Sequence, residues 1–218
     1  MVFKRRKQRT WVQKLGDLFW PKGGWGRAAS YIMHRLRRLP DPPHKIARGI
    51  AAGVFVSFSP FFGFHFVYAA LVALIIQGNM LAALMATFVG NPLTFPIIAT
   101  ISLEIGTFLL DSPNPLHIHN VVFAFSRAAL DLWQNLIALF TDRDADWTSL
   151  AIFYRNVFLP YLVGGFFPGV ITGYIFFRIS VPMVTAYQKI RDKKRREKVE
   201  KRRLAKLKAE ADLAAKAD

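Results

Sequence analysis

The sequence predicts an all-α integral membrane protein: a short bundle of proline- and glycine-broken, re-entrant helices with basic cytoplasmic tails. Three observations predict this class. Residues 49–103, from Gly49 to Leu103, form a run of 55 residues without Asp, Glu, Lys or Arg. At ~1.5 Å of rise per residue a helical run of that length reaches roughly 80 Å, against a hydrocarbon core of about 30 Å. A second apolar element covers residues 156–182, and the charge is concentrated in the two ends of the chain.

That charge distribution predicts topology. Of the formal net charge of +16, residues 1–48 carry 13 Lys and Arg against Asp17 and Asp41. Residues 178–218 carry 14 basic against 6 acidic side chains, whereas residues 49–177 hold only Arg127, Arg143 and Arg155 against six acids. The positive-inside rule then puts both tails in the cytoplasm. The chain divides into a basic, Trp-containing arm with an amphipathic interfacial helix (1–43), a membrane domain (44–188) and a charged helical tail (189–218). With 218 residues, 53 % of them hydrophobic, and 20 Phe, one compact membrane domain is the expectation. The sequence has no cysteine, which excludes disulfides, thiolate metal sites and a cysteine nucleophile. The first long apolar run begins only at Gly49, so it is read as retained structure rather than a cleaved signal.

Taken in order, Lys4, Arg5, Arg6 and Lys7 open a basic arm that continues through Trp11, Trp20 and Trp25. Basic residues interleaved with Trp suit anionic lipid headgroups. Ala28–Leu39 reads as an amphipathic helix, with Tyr31, Ile32, Leu36 and Leu39 on one side and His34, Arg35, Arg37 and Arg38 mostly on the other. Pro40, Pro42 and Pro43 end it. The apolar run then divides into helical pieces 46–58, 61–77, 80–89 and 92–110. Their separators are Ser59-Pro60, the stop signal Gly78-Asn79 and Gly90-Asn91-Pro92, and Pro96 is expected to bend the fourth piece. Residues 111–155 form an acidic, partly amphipathic middle section. The last membrane element, 156–182, carries Pro160 and Pro168 and should run on into the tail. There, Asp192/Arg196 and Glu197/Lys201 have the favourable i,i+4 order. Two cytoplasmic ends require an even number of crossings. A ten-residue piece such as 80–89 is too short to span, so one crossing with a helical hairpin dipping in and out is the expected arrangement of the first run.

Candidate chemistry lies at the two breaks. Ser59-Pro60 and Asn91-Pro92 each place a good capping residue before a proline suited to the first helical turn. Paired half-helix starts at membrane depth are one way transporters hold polar substrates, while tight turns between short helices are the structural alternative. The polar residues nearby are His65, Thr94 and Glu104. His65 is a candidate proton relay or anion ligand, or else a neutral ring bonded to a carbonyl. Glu104 has Arg48, Arg155 and His65 as candidate partners, or sits at headgroup level, and Arg48 is expected to snorkel to the cytoplasmic headgroups. Walker A, dinucleotide-binding and His-Glu-x-x-His motifs are absent, and His117-Ile118-His119 lacks a third ligand nearby. No cofactor, no metal and no catalytic residue are therefore expected. The predicted partners are the bilayer and anionic headgroups at both tails. Nucleic acid is disfavoured because no recognition fold surrounds the basic residues.

From Pro42 through Leu110 the chain resembles the domain of unknown function 2062 family. The resemblance rests on residues 46–55 (IARGIAAGVF), on Ser59-Pro60-Phe61-Phe62-Gly63-Phe64-His65, on Asn79 and on Asn91-Pro92-Leu93-Thr94-Phe95-Pro96. It implies a bacterial inner-membrane protein and no particular activity. The family pattern often has Gln where His65 stands, so it implies no role specific to imidazole. Two functions remain in competition: a non-catalytic membrane module in envelope or lipid organisation, or a small transporter or lipid-moving protein using the paired breaks. With so few helices, a pathway would call for a homo-oligomer.

Overall fold

The computed structural model describes residues 24–37, 39–111, 118–141 and 144–214, and every described element is helical. Lys4, Arg5, Arg6, Lys7, Trp11, Trp20, Arg38, His117 and Arg143 lie outside the described residues, as does the side chain of Arg37.

Helix α1 (Gly24–Arg37) starts four residues before the expected Ala28; Leu36 of its apolar face is buried and Ile32 partly so, while Tyr31 is exposed instead. Helix α2 (Pro43–Val56) starts three residues earlier than its apolar run, because Pro43 has a fixed φ suited to a first turn. Helices α3 (His65–Ile75) and α4 (Met80–Ala86, extended by a 3-10 turn over Thr87–Val89) form a hairpin. Helix α5 spans Phe95–Leu109, α6 Ile118–Ala138 and α7 Thr148–Phe153. A π-helical turn over Tyr154–Phe158 leads into α8, Leu159–Ala214. Pro160 has no N–H to donate to the Asn156 carbonyl, which explains the widened turn there.

Helix α8 is 56 residues long, about 84 Å at ~1.5 Å per residue, and runs through Pro168 and Pro182 without ending. The last apolar element and the charged tail are thus one helix, as the sequence suggested. The helical stretch Thr148–Ala205 contains a segment long and apolar enough to cross a membrane; α3, Met80–Val89 and α5 are shorter apolar helices. Of the two expected i,i+4 pairs in the tail, neither closes as an ion pair; Arg191 instead reaches Asp192 at 3.5 Å. On long exposed side chains such pairs are weak, so this changes little.

Small residues line the helix seams beside a core that also holds Ile46, Val54, Val56 and Tyr161. Gly49, Gly53 and Ser57 recur every fourth position on α2 and present one stripe to α4. A Cβ at Gly49 would run into the Asn79 carbonyl, one at Gly53 into the Ala83 carbonyl, and Gly90 lies against Ser57. Small side chains let the two backbones nearly touch, the packing that replaces hydrophobic driving force where helices meet in lipid. A second stripe, Gly165, Gly169 and Gly173 on α8, receives Phe55 and Ala51 of α2 and Phe58 just beyond its end. Gly164 faces Ser102 and Gly106 of α5, and Gly106 faces Pro160. Helix α2 therefore lies along the Gly169–Phe177 part of α8 and α5 along its first turns, while Gln188 reaches back to the Asp41 carbonyl at 2.9 Å.

The helix boundaries correct several expectations. Ser59 and Pro60 do not start a helix. Phe61–Phe64 is a turn, α3 begins at His65, and its capping position, Phe64, supplies no side-chain bond. Pro92 likewise precedes a turn, and Pro96 sits in the first turn of α5 rather than bending it. At the other end of the hairpin the chain reverses through Gln77, at φ +53°, rather than through Gly78. Gly78 is instead required by its approach to the backbone of Gly49.

Candidate polar site at two helix breaks

Asn79 ties down the near end of the hairpin. Its backbone N–H donates to the Lys45 carbonyl at 2.9 Å and its side-chain oxygen caps α4 by accepting from the Ala82 N–H at 2.7 Å. Its amide nitrogen donates to the Asp41 carboxylate, which also takes Lys45 Nζ at 3.0 Å. The Asn79 bond, followed by the Lys45 bond, holds the Asp41 carboxyl below its ordinary pKa.

At the far end, the hairpin brings the two breaks together. α3 leaves the first break and α4 returns to the second, because Asn79 returns the chain beside Lys45. Ser57 Oγ lies 3.0 Å from the Gly53 carbonyl and 3.2 Å from the Thr87 carbonyl, so its one proton is shared between its own helix and the neighbouring turn. Ser59 Oγ donates to the Val56 carbonyl at 2.7 Å, back toward α2. The Ser59 carbonyl in turn accepts His65 Nε2 at 3.2 Å, and the His65 ring stands edge-on to Phe62. Pro60 is fully buried.

The second break is more densely bonded. Asn91 Oδ1 accepts the N–H of Leu93 at 2.9 Å and of Thr94 at 3.2 Å, and its amide nitrogen approaches the Phe88 carbonyl at 3.3 Å. Thr94 Oγ1 donates to the Val89 carbonyl and receives the Asn91 N–H at 3.1 Å. Side-chain oxygens thus satisfy backbone groups that α5 and the 3-10 turn leave unpaired. Pro92 is exposed beside them.

Between the breaks lies a cavity of about 380 Å³, walled by Phe62, His65 and Phe66 on one side and Phe88, Asn91 and Phe95 on the other. The structure thus brings His65, Asn91 and Pro92 to one site, with Ser59 and Thr94 behind them as supports. It does not bring Glu104 there. Glu104 is exposed on α5, and among the described residues no ion pair joins it to Arg48, Arg155 or His65. Arg48 is half-buried, with Nε lacking a hydrogen-bond partner among the described residues. Arg35 is exposed on α1, its Nε donating to the Tyr31 hydroxyl at 3.0 Å.

Sequence reasoning missed Ser57 and Thr87, which join α2 to the turn before the second break. The signal was present: Ser57 continues the every-fourth-residue stripe of Gly49 and Gly53. It also missed the aromatic cluster behind the cavity, where Phe62 meets Phe95 at 5.2 Å, Phe125 at 4.5 Å and Tyr161 at 5.9 Å between ring centroids. Residues that far apart in the chain carry no local pattern that would unite them.

A family model described as "Uncharacterized protein conserved in bacteria (DUF2062)" matches residues 26–193. No curated protein and no solved structure matches this chain.

Proposed function

This chain belongs to the DUF2062 family, and on that premise we propose that it is a multi-pass protein of the bacterial inner (plasma) membrane, with both termini cytoplasmic, serving envelope or lipid organisation without catalysing a reaction. The observation that carries this reading is an inversion of the usual distribution of side chains. The seams where helices meet through glycine are Gly, Ala and Ser, while large apolar side chains face outward on several helices. They include Phe66, Val67, Leu71, Leu74 and Ile75 on α3, Ile97, Ile101 and Phe108 on α5, Phe123, Leu130 and Trp133 on α6, and Phe166, Phe167, Val170 and Ile171 on α8. In water each exposed side chain of this size forgoes about 1.5–3 kcal/mol of burial, and a soluble monomer rarely leaves so many outside. Against acyl chains the same surface costs nothing.

The layout fits two crossings. One is the apolar part of α8. The other is α2 continued by α5, about 21 and 22 Å long at ~1.5 Å per residue, against a core of about 30 Å. The α3–α4 hairpin enters and returns on one side. The test uses single cysteines at Lys201 and Thr141, since the native chain has none. A membrane-impermeant maleimide is expected to label Thr141 in spheroplasts and Lys201 only in inverted vesicles. Labelling of both from one side, or release of the protein by alkaline carbonate, would overturn the reading.

One observation favours the alternative of a small transporter or lipid-moving protein: the two breaks meet across a cavity with His65 and Asn91 in its wall. Cysteines at His65 and Asn91, with fully buried Val54 as control, separate the two. Labelling at both breaks but not at Val54 supports a wet pathway. Absence of labelling from either side leaves a dry turn and the organising role.

A further inference from the structure

We propose that a second cavity, roofed by the amphipathic helix α1, holds one acyl chain of an anionic phospholipid drawn from the surrounding bilayer; the inference rests on the membrane reading above. The cavity measures about 410 Å³ and is walled by Ile32 and Leu36 of α1, Ile50 of α2, Met85 of α4, and Phe176 and Val184 of α8. At ~30 Å³ for a water-sized group it has room for about a dozen methylenes, within the range of ordinary ligand sites.

Three features select this occupant. First, flexible side chains line this wall, where the seam between α2 and α4 is made of small ones. Met33, Met85 and Met183, three of the five methionines in the chain, line it, whereas α2 meets α4 elsewhere through glycine and alanine. Unbranched, flexible Met side chains adapt to ligands of variable shape, as acyl chains are. Second, the deep end is closed by Asn91 and Thr94, whose polar atoms are already bonded to the backbone of their own turn. That end offers little to a headgroup, so a lipid enters tail first and leaves its headgroup at α1. Third, α1 carries Arg35 on the flank of the groove, steadied by the Tyr31 hydroxyl at 3.0 Å and by the Tyr31 ring at 5.5 Å from its guanidinium carbon. Arg35 makes no ion pair with a described carboxylate, which leaves its other N–H groups to a phosphate. An amphipathic helix lying in the interface with its cations among headgroups places the groove beneath it at acyl-chain depth. Phe88 and Asn91 line both this groove and the cavity between the breaks, so the tip of the chain would end at the wall they share.

The test places a bimane label on a single cysteine at Met85, inside the groove, or at Phe167, outside it. Each protein is reconstituted in vesicles of phosphatidylethanolamine and phosphatidylglycerol, with dibrominated chains on one lipid at a time. Brominated phosphatidylglycerol at a tenth of the lipid is expected to quench Met85 at least threefold more strongly than Phe167, while the brominated phosphatidylethanolamine shows no such preference. Val89→Phe, which fills the groove, should abolish the excess. Arg35→Gln should reduce phosphatidylglycerol to the level of the neutral lipid. Equal quenching at the two positions, or an excess that survives Val89→Phe, overturns the proposal. So does a Met85 label that brominated lipid reaches only after residues 1–20 are deleted, since the chain itself would then fill the groove. If the Phe167 label is quenched by neither lipid, the membrane reading fails instead.

Discussion

The side-chain amide of Asn79 donates to the carboxylate of Asp41, 38 residues earlier in the chain. This bond joins the entrance of α2 to the first turn of α4, and Gln188 brings α8 to the same corner through the Asp41 carbonyl. One asparagine therefore both starts a helix and fixes where that helix lies.

Replacing Asn79 separates these two roles. Asn79→Ser keeps a capping oxygen and should cost about 1 kcal/mol through the lost bond to Asp41. Asn79→Asp, normally an equal cap, should cost more, because it sets a second carboxylate against Asp41. Thermal unfolding in detergent at neutral pH checks the order: wild type, then Ser, then Asp.

Asp41 also predicts a pH dependence. Its folded pKa is lowered, with the Asn79 bond as the largest cause and the Lys45 bond next. The folded state therefore binds this proton less readily than the unfolded one. The resulting stability is fully present above the ordinary aspartate value of 3.8 and is lost as the pH falls through the lower folded value. Unfolding temperatures between pH 6 and pH 3 should fall more steeply for wild type than for Asp41→Asn. Parallel curves would remove Asp41 from the account.

Gly53 is expected to tolerate no side chain. Its Cβ would meet the Ala83 carbonyl and come within 2.7 Å of the Ala86 Cβ, and neither atom belongs to a flexible side-chain end. Gly53→Ala should cost about 1–3 kcal/mol or prevent monodisperse purification. Gly26→Ala, in α1 with nothing within 4 Å, should be neutral or gain up to about 1 kcal/mol from helix propensity. Size-exclusion profiles and unfolding temperatures distinguish them.

Tyr161 is fully buried, and its hydroxyl has no partner among the described residues. An unpaired buried hydroxyl is a cost, so Tyr161→Phe should be neutral or stabilising by about 1–2 kcal/mol. A clear loss of stability would instead reveal that the hydroxyl is bonded in the working protein.

His65 anchors the first break through one bond to the Ser59 carbonyl. His65→Gln retains an N–H donor of similar reach and should leave stability within about 0.5 kcal/mol, whereas His65→Leu should lose about 1 kcal/mol. If the cavity moves a substrate by imidazole chemistry, both variants abolish flux alike; equal stability with lost transport would favour that pathway.

Much of the fold was legible because its signals are local. The amphipathic pattern of Ile32, Leu36 and Leu39 located α1, the stop signal Gly78-Asn79 separated α3 from α4, and the unbroken apolar-to-charged run placed α8. The exact helix starts were not legible. Ser59-Pro60 and Asn91-Pro92 match a capping pattern, yet each is followed by a turn that delays the helix to His65 and to Phe95. Ser59 Oγ turned back to the Val56 carbonyl instead of capping forward, a choice that propensity alone does not settle.

The sequence by itself determined the helical class, the order of the elements and the concentration of charge at the ends, because periodicity, proline placement and charge act over one or two turns. Only the tertiary structure decided that His65 and Asn91 share one cavity, that Glu104 stands outside it, and that α1 roofs a separate groove. Those relations depend on how closely backbones approach. That distance is set by the pairing of Gly49 and Gly53 with Asn79 and Ala83, and by the seating of Gly169 and Gly173 on α2. A glycine stripe can be read in a sequence; the helix that fills it is chosen by packing between distant segments.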